Sequence, residues 1–258
     1  ATIGARADAM QTALGGVQDI AAAFGPELVA AGQAADPDTT ASLSDKARDA
    51  FADLVGHLNI RAGGTALFAG ADGAGPALAD ADTMLADLVV GASGLTSAAD
   101  VADYVTRWFD DPTGGFAAGG YLGADKNAPA VRVGPAEEVQ IGIRADAPAL
   151  RDTLAAAAMA ALATDPGIGL SDSAARDLLG TADAHLQAAS GGLTGLRADL
   201  GGAQARLDDT TARLEAQATG LEIAQSALTA IDPYETATRL EDARLRLESL
   251  YALTARSR

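Results

Sequence analysis

Leucine recurs at every seventh position from Leu179 to Leu228: Leu179, Leu186, Leu193, Leu200, Leu207, Leu214, Leu221 and Leu228. Three residues after each leucine stands Ala182, Ala189, Leu196, Ala203, Thr210, Gln217, Ala224 or Ile231. A leucine seat followed by a mostly small or apolar one is a heptad seam. Seven-residue spacing keeps that seam on one side of a slightly underwound helix. The pattern predicts one helix from about Ser171–Ser173 to Ile231, roughly 80–90 Å long at 1.5 Å per residue.

A second seam opens the chain. Ile3, Met10, Val17 and Phe24 repeat at seven, with Ala7, Leu14, Ala21 and Leu28 four beyond each. This predicts a helix over 2–31 that partners the long one. Gly15-Gly16 and Gly25-Pro26 weaken it, and Pro26 is expected to kink or end it. After the loop signature Asp36-Pro37-Asp38, the stripe Leu43, Ala47, Phe51, Leu54 and Leu58 predicts a helix over 39–62, closed by Gly63-Gly64. Two antiparallel helices joined by a short loop follow.

The segment 71–165 has a different texture. Thr65 to Gly70 reads as an extended run and Ala71 to Pro76 as a turn. Short helices are predicted over 80–90 and 97–109, the second capped by Ser97 with Asp100. Phe116 to Pro129 reads as irregular. Val131–Val133 and Val139–Ile143 alternate at period two around Gly134-Pro135, which predicts a β-hairpin. Asp146 is placed to cap a helix over 147–163, and Thr164 to Gly167 marks a boundary.

In the seam helix, Gly191-Gly192 and Gly201-Gly202 each cost about 1 kcal/mol relative to alanine, unless close packing offsets it. Asp232-Pro233-Tyr234-Glu235 ends that helix and starts another over 233–256, with Asp232 as its cap. Leu240, Ala243, Leu247, Leu250 and Leu253 form its stripe. The pattern runs on without a C-cap, and Ala1 is not a methionine, so a trimmed chain is expected.

Composition narrows the function. The 258 residues carry a formal net charge of −17, which opposes binding to nucleic acid or to an anionic membrane surface. No apolar run is long enough to span a bilayer, and no cleaved signal-peptide pattern is present. The absence of cysteine excludes disulfides and thiolate chemistry. The alanine-rich, aromatic-poor composition suits helices in close approach.

Candidate chemistry is sparse. The glycines at 70, 73 and 75 are in the wrong order for a nucleotide fingerprint and read as a turn. Asp80 and Asp82 lack the glycine and closing Glu of a calcium loop. His57 and His185 have no partner at metal-ligand spacing, and no Gly-x-Ser-x-Gly elbow occurs. Trp108 beside Phe109 is read as an internal anchor rather than a carbohydrate platform. No catalytic, cofactor or metal residue is assigned, and an enzyme is not expected.

Four stretches carry a resemblance to the bacterial flagellin family. They are the two N-terminal helices ending in Val55 to Ile60; Gly63 to Ala71 with Leu67, Phe68 and Gly70; the hairpin and Gly142-Ile143-Arg144-Ala145-Asp146 leading into a helix; and the heptad helix ending Leu228 to Glu235. The likeness covers both chain ends and is loose in the middle. Leu67, Phe68 and Gly70 resemble the signature of the branch that joins hook to filament. The directly following Pro233-Tyr234 and the short insertion depart from the pattern and keep a filament flagellin open. The resemblance implies a helical rod from both ends, with the outer terminal helices that line the filament channel missing here. It further implies unfolded export without a cleaved signal peptide, extracellular self-assembly with hook-side and filament subunits, and an export chaperone.

The expectation is therefore a mainly α protein: an elongated antiparallel coiled-coil rod (1–70 and 166–258) with a small inserted α+β domain (71–165). Its packing seam is Ile3, Met10, Val17, Leu186, Leu193, Leu200, Leu207, Leu214, Leu221 and Leu228. The outer part of that seam is expected to meet neighbouring subunits. A periplasmic pump adaptor would need paired β-rich halves, and a ligand-binding helical domain would need a polar pocket in the insertion.

Overall fold

A computed structural model describes residues 3–33, 36–134, 137–229 and 233–256. The protein is mainly α. Its helices are α1 (Ile3–Gln33), α2 (Pro37–Leu58), α3 (Ala81–Ala92), α4 (Ala98–Asp110), α5 (Pro148–Leu162), α6 (Asp172–Thr229) and α7 (Pro233–Arg256). Two small antiparallel hairpins complete it among the described residues: β1 (Arg61–Ala62) with β2 (Thr65–Ala66), and β3 (Val131–Gly134) with β4 (Glu137–Val139). Contacts divide the chain into two compact units, one up to Asp208 and one from Asp209 on. The segment 71–165 lies in the first unit, together with α1, α2 and the first part of α6.

The first unit is built around α5. Every residue from Thr153 to Ala163 is buried. Alanine makes this possible, because its short side chain lets helices close in from every side. α5 packs chiefly against α2 and α4, and α2 packs in turn on α1. Gly192 brings α6 against α5 as well: a Cβ there would stand 2.6 Å from that of Ala149. The buried Ser44 hydroxyl on α2 donates to the Ala161 carbonyl at 2.9 Å, so the polar group costs little.

Side chains at the helix starts set several boundaries. Asp36 accepts from the Asp38 amide and the Thr39 hydroxyl, and Pro37 opens α2. Ser97 accepts from the Asp100 amide at 3.2 Å, as its spacing predicts. The Ser171 hydroxyl accepts from the Ala174 amide at the start of α6.

Several expectations are corrected. α1 runs to Gln33, close to the 2–31 its repeat predicts, so Pro26 does not end it. Proline removes one amide, whose acceptor would be the Ala22 carbonyl, and Ala22 lines an open groove where solvent can take its place. α2 ends at Leu58, with the Asn59 amide returning to the Val55 and Gly56 carbonyls. Gly63 and Gly64 (φ 60° and 81°) instead form the two-residue turn between β1 and β2, where both positions need positive φ.

The second hairpin strand is Glu137–Val139, not 139–143, with a register irregularity between Arg132 and Gly134. Ile143 leaves the ladder to enter the core. Asp146 does not cap α5. Both its carboxylate oxygens accept from Arg144, each at 2.7 Å, and Pro148 begins the helix after an uncapped Ala147. Phe116–Gly120, read as irregular, is a π-helical turn. Pro135, Ile231 and Asp232, each given a role by the sequence, lie outside the described residues.

In the second unit the remainder of α6 and the whole of α7 are helical, the latter over the 233–256 that its stripe predicts. Glu235–Arg239 is an exposed i,i+4 pair at 2.6 Å, worth only tenths of a kcal/mol.

Candidate assembly interface

The two seams meet inside the first unit, antiparallel. Gly32 of α1 lies against Arg176 and Gly180 of α6, and Gly25 lies against Asp183 and Leu186. Gln18 accepts from Arg197. Asp8 accepts from Gln204 at 2.7 Å. Carried back to the start of α1, this register brings Ile3 level with about Leu207, given equal rise in both helices.

Burial follows the same limit. Met10 and Val17 of α1 are buried, and Ile3 is half-buried against the core. Along α6, Leu179, Leu186, Leu193 and Leu200 are buried, Leu207 is 6% exposed and Thr210 1%. Beyond that point the repeat continues but the cover does not. Leu214 is half-exposed, Leu221 is 71% exposed and Leu228 88%. On α7, Leu240, Leu247, Leu250 and Leu253 are all exposed. An isolated exposed leucine is ordinary, whereas a periodic row of them marks an interaction face.

Leu67 and Phe68 sit within the first unit's core, and Gly70 is half-buried beside them. Phe68 is fully buried and its carbonyl accepts from the Ala145 amide at 2.9 Å. Gly70 has φ 65°, and a Cβ there would stand 2.4 Å from the Lys126 carbonyl oxygen. Ala124 donates to Ala69, and Ala71 donates to Lys126. These residues thus tie the 60–71 segment to the 124–126 and 144–145 loops, where a side chain at 70 would not fit.

Near this lock, burial and the carboxylates of Asp146 and Asp125 push the Tyr121 phenol up to about 12, although Arg144 opposes the shift. Its hydroxyl donates to the Ala124 carbonyl at 3.0 Å. Asp152 on α5 is also raised, first by burial and then by Asp110, against the opposing charges of Arg151 and His185. Both perturbations follow from burial and from the neighbouring charges.

His57 and Trp108 are packed within the first unit. The His57 ring lies against α1, where a Cβ on Gly16 would stand 2.4 Å from it. Gly16 is therefore a close-approach position and not only a weak point of the helix. Trp108 is buried edge-on against Phe109, with ring centroids 4.8 Å apart. No group of three or more metal-ligating side chains occurs among the described residues. No described helix is long and apolar enough to cross a membrane.

The sequence missed one feature of this region. Between α1 and α6 lies a groove of ≈ 390 Å³, floored by Leu186 and Leu193 and walled by Ala22, Gly25 and Val29. The Gly25-Pro26 pair is its only trace in the sequence.

Covered for part of its length and bare for the rest, the seam gives this mainly helical protein an uncovered apolar face. A comparison with known families adds to this. Residues 184–258 match the bacterial flagellin C-terminal helical region. The match spans 75 of the 258 residues, takes in Leu186 to Leu228 and the whole bare stretch, and supports the bacterial flagellin family and a structural subunit of the flagellum. No curated protein and no solved structure matches the chain.

Proposed function

We propose that this chain is a structural subunit at the junction between the flagellar hook and its filament, of the kind called hook-associated protein 3. One observation carries the reading: the apolar repeat of α6 and α7 stays exposed past Thr210, within the segment that matches the flagellin C-terminal region. The helical parts, 1–70 and 166–258, serve as the conserved rod, and 71–165 serves as the insertion. Ile3, Met10, Val17, Leu186, Leu193, Leu200 and Leu207 hold the subunit together. Leu214, Leu221 and Leu228 pack on neighbours.

Ordering those helices costs chain entropy, which contact with neighbours offsets, so subunits add most readily at an existing end. The partners are further copies, a hook-side junction protein, flagellin and an export chaperone. The site of action is outside the cell, reached without a cleaved signal peptide. The locked Leu67, Phe68 and Gly70 favour the junction role. The extent of the flagellin match favours a filament flagellin equally well.

Purified protein added to isolated hooks that lack their junction protein separates the two. Capping the hooks and permitting growth of added flagellin supports the junction role. Polymerisation into filaments by itself supports the filament role. Inertness in both assays refutes both.

A further inference from the structure

The groove between α1 and α6 is apolar, open, and formed wholly within the first unit. Along α1 it runs from Gln18 to Val29, about 17 Å at 1.5 Å per residue. Val29 on its wall is 40% exposed. Asp183 is the one charged residue among those lining it. What fills such a groove must be apolar, must be of similar length, and must not add negative charge to a strongly acidic body.

The chain itself displays one such element. Leu240, Ala243, Leu247 and Leu250 form a ridge on α7 that spans about 15 Å, and its leucines are exposed. α7 has four arginines against four carboxylates. The other exposed helices all carry an excess of carboxylates: α1 sets Arg6 against three acids, and α4 sets Arg107 against three. α5 is balanced but buried. Arg239 and Arg246 follow the ridge at the same seven-residue spacing as Leu240 and Leu247. Either would meet Asp183 favourably.

We propose that the groove between α1 and α6 receives α7 of a second copy of this chain. The contact joins two different surfaces, so copies can add head to tail wherever the rotation between them does not close a ring. Repetition then yields an open helical array rather than a dimer. The inference rests on the self-assembly reading above and adds which surface takes which helix.

Because the chain has no cysteine, cross-linking tests this directly. Full-length Ala22→Cys protein is mixed with full-length Leu247→Cys protein under assembly conditions and oxidised. The expected result is a disulfide-linked heterodimer, at least tenfold more abundant than in a mixture with Leu245→Cys, on the other side of α7. Val29→Asp, an exposed change expected to leave thermal unfolding of the subunit unmoved, should cut that yield at least tenfold when added to the Ala22→Cys copy. Equal linkage through Leu247→Cys and Leu245→Cys, or none, overturns the proposal. Polymers that form without the Leu247→Cys link overturn the groove assignment but leave self-assembly standing. Absence of both link and polymer sinks the two together.

Discussion

Truncating two leucines of one heptad series should have very unequal consequences. Leu200 is 1% exposed and belongs to the core, whereas Leu228 is 88% exposed. Leu200→Ala loses the transfer free energy of the side chain and leaves a cavity in the core, a cost of about 2–5 kcal/mol. Spread over a unit of roughly 200 residues, 3 kcal/mol corresponds to a fall in Tm of about 6–12 °C. Leu228→Ala removes a side chain that water already surrounds, so its effect should stay within about 0.5 kcal/mol. Urea unfolding followed by circular dichroism, at a concentration where sedimentation shows monomer, measures both. A Leu200→Ala cost below about 1 kcal/mol, or a Leu228→Ala cost equal to it, would refute the division of the seam into covered and bare parts.

Further substitutions test the packing. Gly202→Ala should stabilise by up to about 1 kcal/mol, since nothing lies within 4 Å of the new Cβ; a loss in thermal unfolding would show a hidden contact. Gly16→Ala should destabilise by about 1–3 kcal/mol because the His57 ring occupies that space, and pairing it with His57→Ala should recover most of the loss. Asp152 has a raised folded pKa, so the stability tied to its protonated form is complete below the unfolded value and is lost as pH rises through the folded one. Asp152→Asn should therefore raise Tm at neutral pH and leave it unchanged near pH 3, below the ordinary Asp pKa of about 3.9. A gain of equal size at both pH values would remove the electrostatic explanation.

What could be read from sequence follows from what periodicity encodes. The seams of α1 and α6 were legible because leucine, methionine and valine at spacing seven name a face. α5 was legible as a helix but not as the centre of the unit, since alanine on all sides has no face. Asp146 looked like a cap because carboxylates cap helices, and only the fold shows that Arg144 reaches it first. Gly63-Gly64 suited a helix end and a hairpin turn equally. The limit of the covered seam was half-visible. The α1 repeat holds four heptads and the α6 repeat eight, so one helix could never cover the other. Which half stays bare depends on the antiparallel register, which Gly32, Gly25, Gln18 and Asp8 fix in space.

The claim beneath all of this is that the chain covers its own seam to about Thr210 and leaves the remainder to other subunits. Amide hydrogen exchange on soluble subunit and on assembled polymer tests it in one comparison. Strong protection of α1 and of α6 up to Thr210 is expected in both states. Residues 214–229 and α7 should exchange rapidly in the subunit and become protected on assembly. Protection of 214–256 already complete in the lone subunit, or unchanged by polymerisation, would contradict it.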